Sequence, residues 1–331
     1  MEFKALLVEQ PEKKVFNRSI VTRTLDDLPE GELVVKVHYS SLNFKDALSS
    51  VGNPGVTRNF PHTPGIDAAG KVVSCADGSF QPGDQVIVTS YDLGMETDGG
   101  FGQLIRVPSK WALKLPEGLT LKESMMLGTA GLTAALSVHQ LVESGVIPEQ
   151  GPVLVTGATG GVGSLAVAML AKIGFTVTAV TGKLEETPYL EGLGATQIID
   201  RATLLKGNDR PMLKPTWAGV VDCVGGEMLA AAIKSAQYDG VVTCCGLVAS
   251  IDIPINVFPF ILRGVRLIGI DSAECPMERR IQVWKQLANE LKLDNLTEMV
   301  DEITLAGVEE KVQLMLKGGM KRRALINLLQ S

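Results

Sequence analysis

The stretch that decides the fold of this chain is Pro152-Val153-Leu154-Val155-Thr156-Gly157-Ala158-Thr159-Gly160-Gly161-Val162-Gly163-Ser164. Its apolar beginning predicts a strand, and the segment GSLAVAMLAKIG (163–174) predicts a helix. A strand, a glycine-rich turn and a helix N-terminus suit a dinucleotide pyrophosphate, because free N–H groups and the helix dipole face the phosphates. In the usual spacing of three glycines, Ala158 stands at the first position, and Gly160 and Gly163 fill the others. The pattern favours a dinucleotide loop over a glycine-rich turn without a ligand.

Around this loop, apolar strands alternate with helices. Further strands are predicted at TVTAVTG (176–182), QIID (197–200), AGVVDCVG (218–225), GVVTCCG (240–246) and VRLIGID (265–271). Strands that are apolar on both faces are typical of a parallel sheet covered by helices. The sequence therefore predicts an α/β fold with a Rossmann doubly wound parallel sheet.

The rest of the chain has another character. Residues 1–124 contain short strands and turns, such as Gln81-Pro82-Gly83-Asp84, which indicate an antiparallel, barrel-like domain. The tail ends in the strand-like ALINLL (324–329), which we expect to return to that domain. The predicted division is a catalytic domain of residues 1–124 and 296–331, and a nucleotide-binding domain of residues 125–295.

Composition limits the classes of ligand and partner. The chain has 331 residues and a net charge of −6, which gives no electrostatic footprint for nucleic acid. The N-terminal MEFKALLVEQ lacks signal-peptide anatomy, and no apolar stretch approaches the ~20 residues of a membrane span, so we expect a cytoplasmic protein. The five cysteines show no paired spacing and are interpreted as small buried side chains in a reducing compartment. The three histidines have no cysteine at metal-ligand spacing, which predicts a metal-free site.

The end of the second predicted strand indicates which nicotinamide cofactor binds. NAD-binding loops place an acidic residue there for the ribose 2′-hydroxyl, but this chain has Thr181-Gly182-Lys183. A hydroxyl and an ammonium suit a 2′-phosphate, and Arg201 after the third strand adds a second cation. Glu185 and Glu186 lie close by and keep NAD open, and Lys183 has the alternative of a solvated lysine at a helix start. The residues favour NADPH.

Several longer segments resemble one known family. The chain is similar to zinc-lacking members of the medium-chain dehydrogenase/reductase superfamily, and within it to the acrylyl-CoA reductase family, long labelled quinone oxidoreductases of the YhdH/AcuI type. The resemblance is carried by SSLNFKDAL (40–48), RNFP (58–61), PGIDAAG (64–70), GTAGLTA (128–134), the glycine loop and PFILRGVRLIGIDS (259–272). Pro64-Gly65-Ile66-Asp67 stands where zinc-dependent members carry a metal-ligating Gly-His-Glu. Phe44 departs from the family, in which many members have tyrosine.

The resemblance implies a GroES-like first domain, a homodimer and a set of cofactor contacts. The pyrophosphate would meet Thr159, Gly160, Gly161 and Val162, and the 2′-phosphate would meet Thr181, Gly182, Lys183 and Arg201. The resemblance also implies that Phe44 packs on the cofactor and that Leu247, Ile261 and Ser272 lie near the nicotinamide. Arg323 matches a basic residue near the end of relatives.

The resemblance also implies the reaction: reduction of a double bond conjugated to a carbonyl, with acrylyl-CoA as the acceptor. Negative charge then develops on the carbonyl oxygen and must be stabilised, and a proton must be supplied. Asn43 can donate a hydrogen bond, Lys45 can supply a cation or proton, and Asp46 can orient Lys45 or relay a proton. The same residues could simply begin a helix, with Asn43 as its cap. A quinone or general enone reductase and a catalytically silent nucleotide sensor remain the alternatives.

Overall fold

The computed structural model describes residues 1–331, which form fifteen strands and nine α-helices. The strands are β1 (Glu2–Glu12), β2 (Val15–Thr24), β3 (Leu33–Ser41), β4 (Asp67–Cys75), β5 (Gln85–Thr89), β6 (Leu104–Val107), β7 (Ala112–Lys114), β8 (Val153–Val155), β9 (Val177–Thr181), β10 (Gln197–Asp200), β11 (Trp217–Asp222), β12 (Ala236–Cys244), β13 (Arg266–Gly269), β14 (Val300–Ile303) and β15 (Arg323–Asn327). The helices are α1 (Phe44–Ser50), α2 (Leu121–Glu143), α3 (Gly161–Lys172), α4 (Thr187–Gly192), α5 (Arg201–Leu205), α6 (Gly226–Lys234), α7 (Phe258–Arg263), α8 (Met277–Ala288) and α9 (Val308–Leu316).

Two compact units divide the chain. The first unit holds residues 1–129, 273–288 and 294–331, and the second holds residues 130–272 and 289–293. The boundaries predicted from the sequence are 124/125 and 295/296, and the main difference is that α8 lies in the first unit. Inside that unit, the Arg280 guanidinium donates to the carbonyl and hydroxyl oxygens of Thr89 at 2.8 Å each and lies 4.4 Å from the centre of the Tyr91 ring. An amphipathic pattern shows that a helix has a buried face, but not which sheet covers it.

The first unit is built on a mostly antiparallel sheet of seven strands. The strand order is β14-β15-β3-β4-β5-β7, and β6 also pairs with β3, while β1 and β2 form a separate pair. Leucine, valine and isoleucine side chains from β3, β5, β6 and β15 pack together in its core, with Phe101 fully buried among them. β15 runs antiparallel to β3 with Leu325 opposite Ser41, which confirms that the terminal strand returns to this domain. This pairing holds the end of β3, from which the chain enters the predicted catalytic segment.

The second unit is built on a parallel sheet of six strands. Its order is β10-β9-β8-β11-β12-β13, so the strand order reverses between β8 and β11. All residues of β8, β9 and β11 are buried, as expected for strands covered on both faces. This arrangement confirms the predicted doubly wound fold, in which ligands bind beyond the carboxyl ends of the strands at the point of reversal.

Helix α2 has the length and hydropathy of a membrane span. However, 78% of its most apolar window is buried inside the protein. The core helix of a globular domain has the same length and composition, so this helix is weak evidence for a membrane span.

Candidate active site

The segment that carries the predicted catalytic residues begins at the end of β3 and opens α1. Asn43 is the N-cap of α1, and its backbone N–H donates to Asp46 Oδ2 at 2.7 Å. The other oxygen, Asp46 Oδ1, accepts the backbone N–H of Ile66 at 2.8 Å. A short polar side chain at the cap and a carboxylate three residues later satisfy donors that the first turn leaves open. The helix-start interpretation therefore describes the local structure of Asn43 and Asp46.

Asp46 is fully buried, which bears on the role proposed for it. Burial, aided by repulsion from Asp67, raises the pKa of Asp46 to about 7. Both carboxylate oxygens face backbone donors, whereas Lys45 is half-buried and makes no hydrogen bond or ion pair. This geometry supports a role for Asp46 in positioning Asn43 and Ile66. It does not favour the predicted role in which Asp46 orients the Lys45 side chain.

The raised pKa predicts a pH-dependent stability. A buried acid whose folded-state pKa lies above its unfolded value stabilises the fold while it is protonated, so stability falls as pH rises from about 4 to about 7. We expect the free energy of unfolding of the native protein to decline over this window relative to that of Asp46→Asn, measured by urea denaturation. The exposed Asp26→Asn is the control and should follow the native curve. Parallel curves for the native protein and Asp46→Asn would show that Asp46 stays ionised.

Asp67 is the residue that sequence analysis missed, and it organises this part of the site. It is buried, and its Oδ2 accepts the Asn43 amide (Nδ2, 2.7 Å), the backbone N–H of Thr129 (2.9 Å) and the Ser41 hydroxyl. Its Oδ1 accepts the Thr129 hydroxyl at 2.6 Å. The signal was present, because Asp67 ends the segment that stands where zinc-dependent relatives carry a ligand, but pattern alone assigned it no partner.

The contacts of Asn43 narrow its chemistry. An amide nitrogen has two hydrogens, and Asn43 Nδ2 donates to Asp67 and, at 3.3 Å, to the Ser41 carbonyl. Asn43 therefore has no spare amide hydrogen in this arrangement. On the first turn of α1, Phe44 is 46% exposed and Lys45 is half-buried. Among the three predicted catalytic residues, Lys45 alone has uncommitted hydrogen-bond donors.

Two further predictions concern Arg323 and the absence of a metal site. Arg323, predicted to bind the cofactor, is buried at the start of β15, and its Nε donates to the Met126 carbonyl at 2.9 Å. In the whole chain, no three His, Cys, Asp or Glu side chains converge in a way that could hold a metal ion. The metal-free reaction stays a prediction, and the side-chain geometry is consistent with it.

In the second unit, the glycine loop joins β8 to α3, and its geometry depends on two glycines. A Cβ on Gly163 would lie 2.3 Å from the carbonyl oxygen of Gly157, so the helix start and the turn touch at this position. Gly157 has a φ of 60°, a conformation that side chains disfavour. Gly157 thus occupies the role of the first glycine of the usual pattern, one residue before Ala158, which accounts for the imperfect sequence match. No side chain caps the N-terminus of α3 at Gly160, whose own backbone N–H donates to the Gly157 carbonyl at 2.9 Å, and such a helix start suits an anion.

The residues predicted to bind the 2′-phosphate come together at the ends of β9 and β10. These strands are parallel neighbours, with Thr181 opposite Asp200. The Thr181 hydroxyl accepts the Lys183 backbone N–H at 3.0 Å and lies 3.3 Å from the Thr159 hydroxyl. The exposed Arg201 guanidinium lies so close to Gly182 that a Cβ there would be 2.8 Å from its central carbon. Two hydroxyl groups and the Arg201 guanidinium are therefore clustered beside the glycine loop.

The three residues predicted near the nicotinamide are less closely grouped. Leu247 and Ser272 follow the carboxyl ends of β12 and β13, which are parallel neighbours, and Ser272 accepts a hydrogen bond from the Thr133 hydroxyl at 2.7 Å. Ile261 lies on α7, which precedes β13, and its side chain is 67% exposed. The role of each at the nicotinamide stays a prediction.

Comparison with known proteins identifies related chains. Residues 29–117 match the family model of the alcohol dehydrogenase GroES-like domain, and residues 161–292 match that of zinc-binding dehydrogenases. The chain is 42% identical to the acrylyl-CoA reductase AcuI of Ruegeria pomeroyi, over 98% of this chain and 99% of that protein. It is also 45% identical to YhfP of Bacillus subtilis, over 96% of this chain and 98% of that protein. YhfP is named provisionally as a quinone oxidoreductase.

Two solved structures have the same fold. The YhdH oxidoreductase from Salmonella enterica in complex with NADP matches with a TM-score of 0.95 and 39% identity, over 99% of both chains. The YhfP protein of Bacillus subtilis with NAD bound matches with a TM-score of 0.96 and 43% identity, again over 99% of both chains. The two relatives thus hold different nicotinamide dinucleotides.

Proposed function

The chain belongs to the medium-chain dehydrogenase/reductase superfamily, in the group that includes AcuI and YhfP, and we propose that it reduces α,β-unsaturated carbonyl compounds with NADPH, most specifically acrylyl-CoA to propanoyl-CoA. Its oxidoreductase class follows from its full-length relatives, so the silent nucleotide sensor is set aside. The observation that carries the proposal is an intact dinucleotide loop in a chain that also presents Lys45 beside a fixed Asn43. Acrylyl-CoA rests on the resemblance to AcuI.

The residues of the second unit fit NADPH. The N-terminus of α3 offers N–H groups to a pyrophosphate, and the Gly157–Gly163 contact keeps that end clear of side chains. Thr181 and the Arg201 guanidinium provide a hydroxyl and a cation for a 2′-phosphate, with Lys183 adjacent in sequence. When bound, the reduced nicotinamide supplies a hydride to the β-carbon of the acceptor.

The residues of the first unit divide the remaining work. We assign Lys45 the stabilisation of charge on the acceptor oxygen and the supply of a proton toward the α-carbon, since this half-buried side chain makes no hydrogen bond or ion pair. Asp46 and Asp67 act as positioning residues, because each fixes Asn43 and thereby the start of α1, on which Lys45 stands. Asn43 contributes to charge stabilisation if its longer bond to the Ser41 carbonyl is exchanged for the substrate.

The decisive experiment compares acceptors. NADPH oxidation is followed with acrylyl-CoA, crotonyl-CoA and a quinone, and we expect the highest kcat/KM with acrylyl-CoA. Lys45→Ala should lower kcat by about 10²–10⁴-fold with unchanged NADPH affinity, the usual contribution of a general acid. Lys36→Ala, on an exposed position of β3, is the matched control. A preference for the quinone would replace the CoA assignment with the second candidate, a quinone reductase, which the provisional name of YhfP favours. Full turnover in Lys45→Ala would mean that the proton comes from another group or from water.

Cofactor choice is tested at Arg201. We expect Arg201→Ala to weaken NADPH binding about tenfold to a hundredfold and to leave NADH binding unchanged, because one charge-assisted contact to a phosphate is worth about 1.5–3 kcal/mol. Dissociation constants for both nucleotides are measured by fluorescence titration. Lys206→Ala removes an equally exposed cation five residues later and should change neither constant. If Arg201→Ala weakens both nucleotides equally, Arg201 does not read the 2′-phosphate.

We also propose a homodimer through the second unit. The strand β13 is at the edge of its sheet, so one side of its backbone lacks a partner strand within the chain. Near it in sequence, several large apolar side chains are exposed, namely Ile251, Val257, Phe258, Ile261, Leu262 and Leu267. Exposed apolar surface of this kind marks a protein interface, and sedimentation equilibrium at twice the chain mass is the expected result. The cytoplasmic location stays a prediction.

A further inference from the structure

Two cysteine thiols face each other at the carboxyl ends of β11 and β12. These strands are parallel and pair Asp222 with Cys244, so the next residues, Cys223 and Cys245, are neighbours across the sheet. The backbone N–H of Cys245 donates to the Asp222 carbonyl at 3.0 Å, and the two Sγ atoms are 3.9 Å apart. Adjacent strands lie about 4.8 Å apart, which is within the range of Cα separations that a disulfide accepts. A modest rotation of the side chains would bring the sulfurs to bonding distance.

The neighbouring Cys244 is directed elsewhere. Successive side chains along a strand point to opposite faces, and Cys244 Sγ lies 3.9 Å from Asp222 Oδ2. The adjacent pair in the sequence, Cys244 and Cys245, is therefore not the pair that meets in space. All five cysteines of the chain are free thiols in this structure.

The facing pair lies against the glycine loop. A Cβ placed on Gly157 would be 3.6 Å from the Cβ of Cys223 and 3.0 Å from the Val224 side chain. On the other side, a Cβ on Gly246 would be 2.0 Å from the Cys223 carbonyl oxygen, so the two strand ends are packed backbone to backbone. A change in the position of Cys223 would therefore press on the loop to which the proposed function assigns the pyrophosphate.

We propose that Cys223 and Cys245 are a redox-sensitive pair, oxidised by a hydroperoxide to a disulfide that weakens dinucleotide binding. This regulation goes beyond the reductase activity and rests on the proposed nucleotide site for its effect. In the first step the Cys245 thiol attacks the peroxide, which gives a sulfenic acid on Cys245 and releases an alcohol, or water from hydrogen peroxide. In the second step Cys223 sulfur attacks that sulfenic sulfur, the S–S bond forms, and water leaves with the Cys223 proton. The two thiols lose two electrons and the peroxide O–O bond accepts them.

The surroundings order these two steps. A hydrogen-bonding contact with Cys245, together with burial, raises the pKa of the Cys223 thiol well above its ordinary value. Burial and the nearby Asp222 raise the pKa of Cys244 to about 11. The thiolate is the reactive form, so this environment disfavours Cys223 as the first site of attack, and within the facing pair the first step is assigned to Cys245.

The test uses the full-length protein without added cofactor, treated with hydrogen peroxide and then with dithiothreitol. Peptide mass spectrometry under non-reducing conditions should show a Cys223–Cys245 cross-link with the loss of two hydrogens. NADPH affinity should fall about tenfold and recover after reduction. Cys223→Ser and Cys245→Ser should each keep their own untreated affinity after peroxide, whereas Cys244→Ser and Cys75→Ser should respond like the native protein.

Three results would overturn the proposal. The first is a cross-link that joins Cys244, and the second is overoxidation of Cys245 without any cross-link. The third is a complete cross-link that leaves NADPH affinity unchanged in a protein that binds NADPH. Cross-linking is measured independently of cofactor, so a protein that forms the disulfide but never binds NADPH would instead disprove the nucleotide site.

Discussion

Asp67→Ala should destabilise the first unit strongly and disable the proposed catalytic segment. The substitution removes a buried carboxylate that accepts hydrogen bonds from Ser41, from Asn43 and twice from Thr129. The substitution would leave these hydrogen-bond donors buried without an acceptor, which is costly. We therefore expect the free energy of unfolding to fall by about 3–5 kcal/mol. Urea denaturation measures this loss. In the folded fraction kcat should fall, because Asn43 is no longer fixed, while NADPH affinity holds.

Asp77→Ala is the control that separates the effect of burial from the effect of hydrogen bonding on the stability lost in Asp67→Ala. Asp77 also accepts several hydrogen bonds, from the hydroxyl of Ser109, the thiol of Cys75 and the backbone of Ser79, but its side chain is exposed to water. Water can replace Asp77 as an acceptor, so its removal should cost much less than that of Asp67. If the free energy of unfolding falls equally in Asp67→Ala and Asp77→Ala, burial does not explain how Asp67 stabilises the fold. If Asp67→Ala is as stable as the native protein and turns over at the native rate, Asp67 does not position Asn43.

Gly163→Ala should abolish tight NADPH binding with a smaller effect on the fold. Its new methyl group would lie 2.3 Å from the Gly157 carbonyl oxygen, and a backbone atom cannot move aside as a flexible side chain would. The start of α3 and the turn must separate, which removes at least one N–H donor from the phosphate. Loss of one such bond is worth about 1.5–3 kcal/mol, so the dissociation constant of NADPH should rise about tenfold to a hundredfold.

Gly192→Ala provides the matched control for this substitution. Gly192 is exposed in α4 of the same unit, and a Cβ there would meet no atom within 4 Å. Alanine favours the helix over glycine, so this variant should be as stable as the native protein or slightly more stable, with native NADPH affinity. Calorimetric titration of both variants with NADPH gives the comparison. If Gly163→Ala binds as Gly192→Ala does, the loop does not depend on the close contact with Gly157.

The sequence by itself determined the nucleotide-binding fold and much of its ligand chemistry. Apolar runs such as PVLVTG and TVTAVTG are local signals, because a strand buried on both faces must be apolar throughout. The cluster of Thr181, Gly182 and Arg201 was also predictable, since the carboxyl ends of neighbouring parallel strands share one edge of the sheet. The return of the terminal strand to the first domain followed from its apolar pattern.

Only the tertiary structure decided which side chains share partners across the chain. Asp67 joins residues 24 to 62 positions away in the sequence, and Cys223 meets Cys245 through the register of two strands. The position of α8 in the first unit likewise depends on contacts between Arg280 and Thr89, which are 191 positions apart. Periodicity records whether a residue is buried but not what it touches. Hydrogen bonds and thiol pairs between distant residues require short distances. Those distances are set only when the strands have paired in their native register.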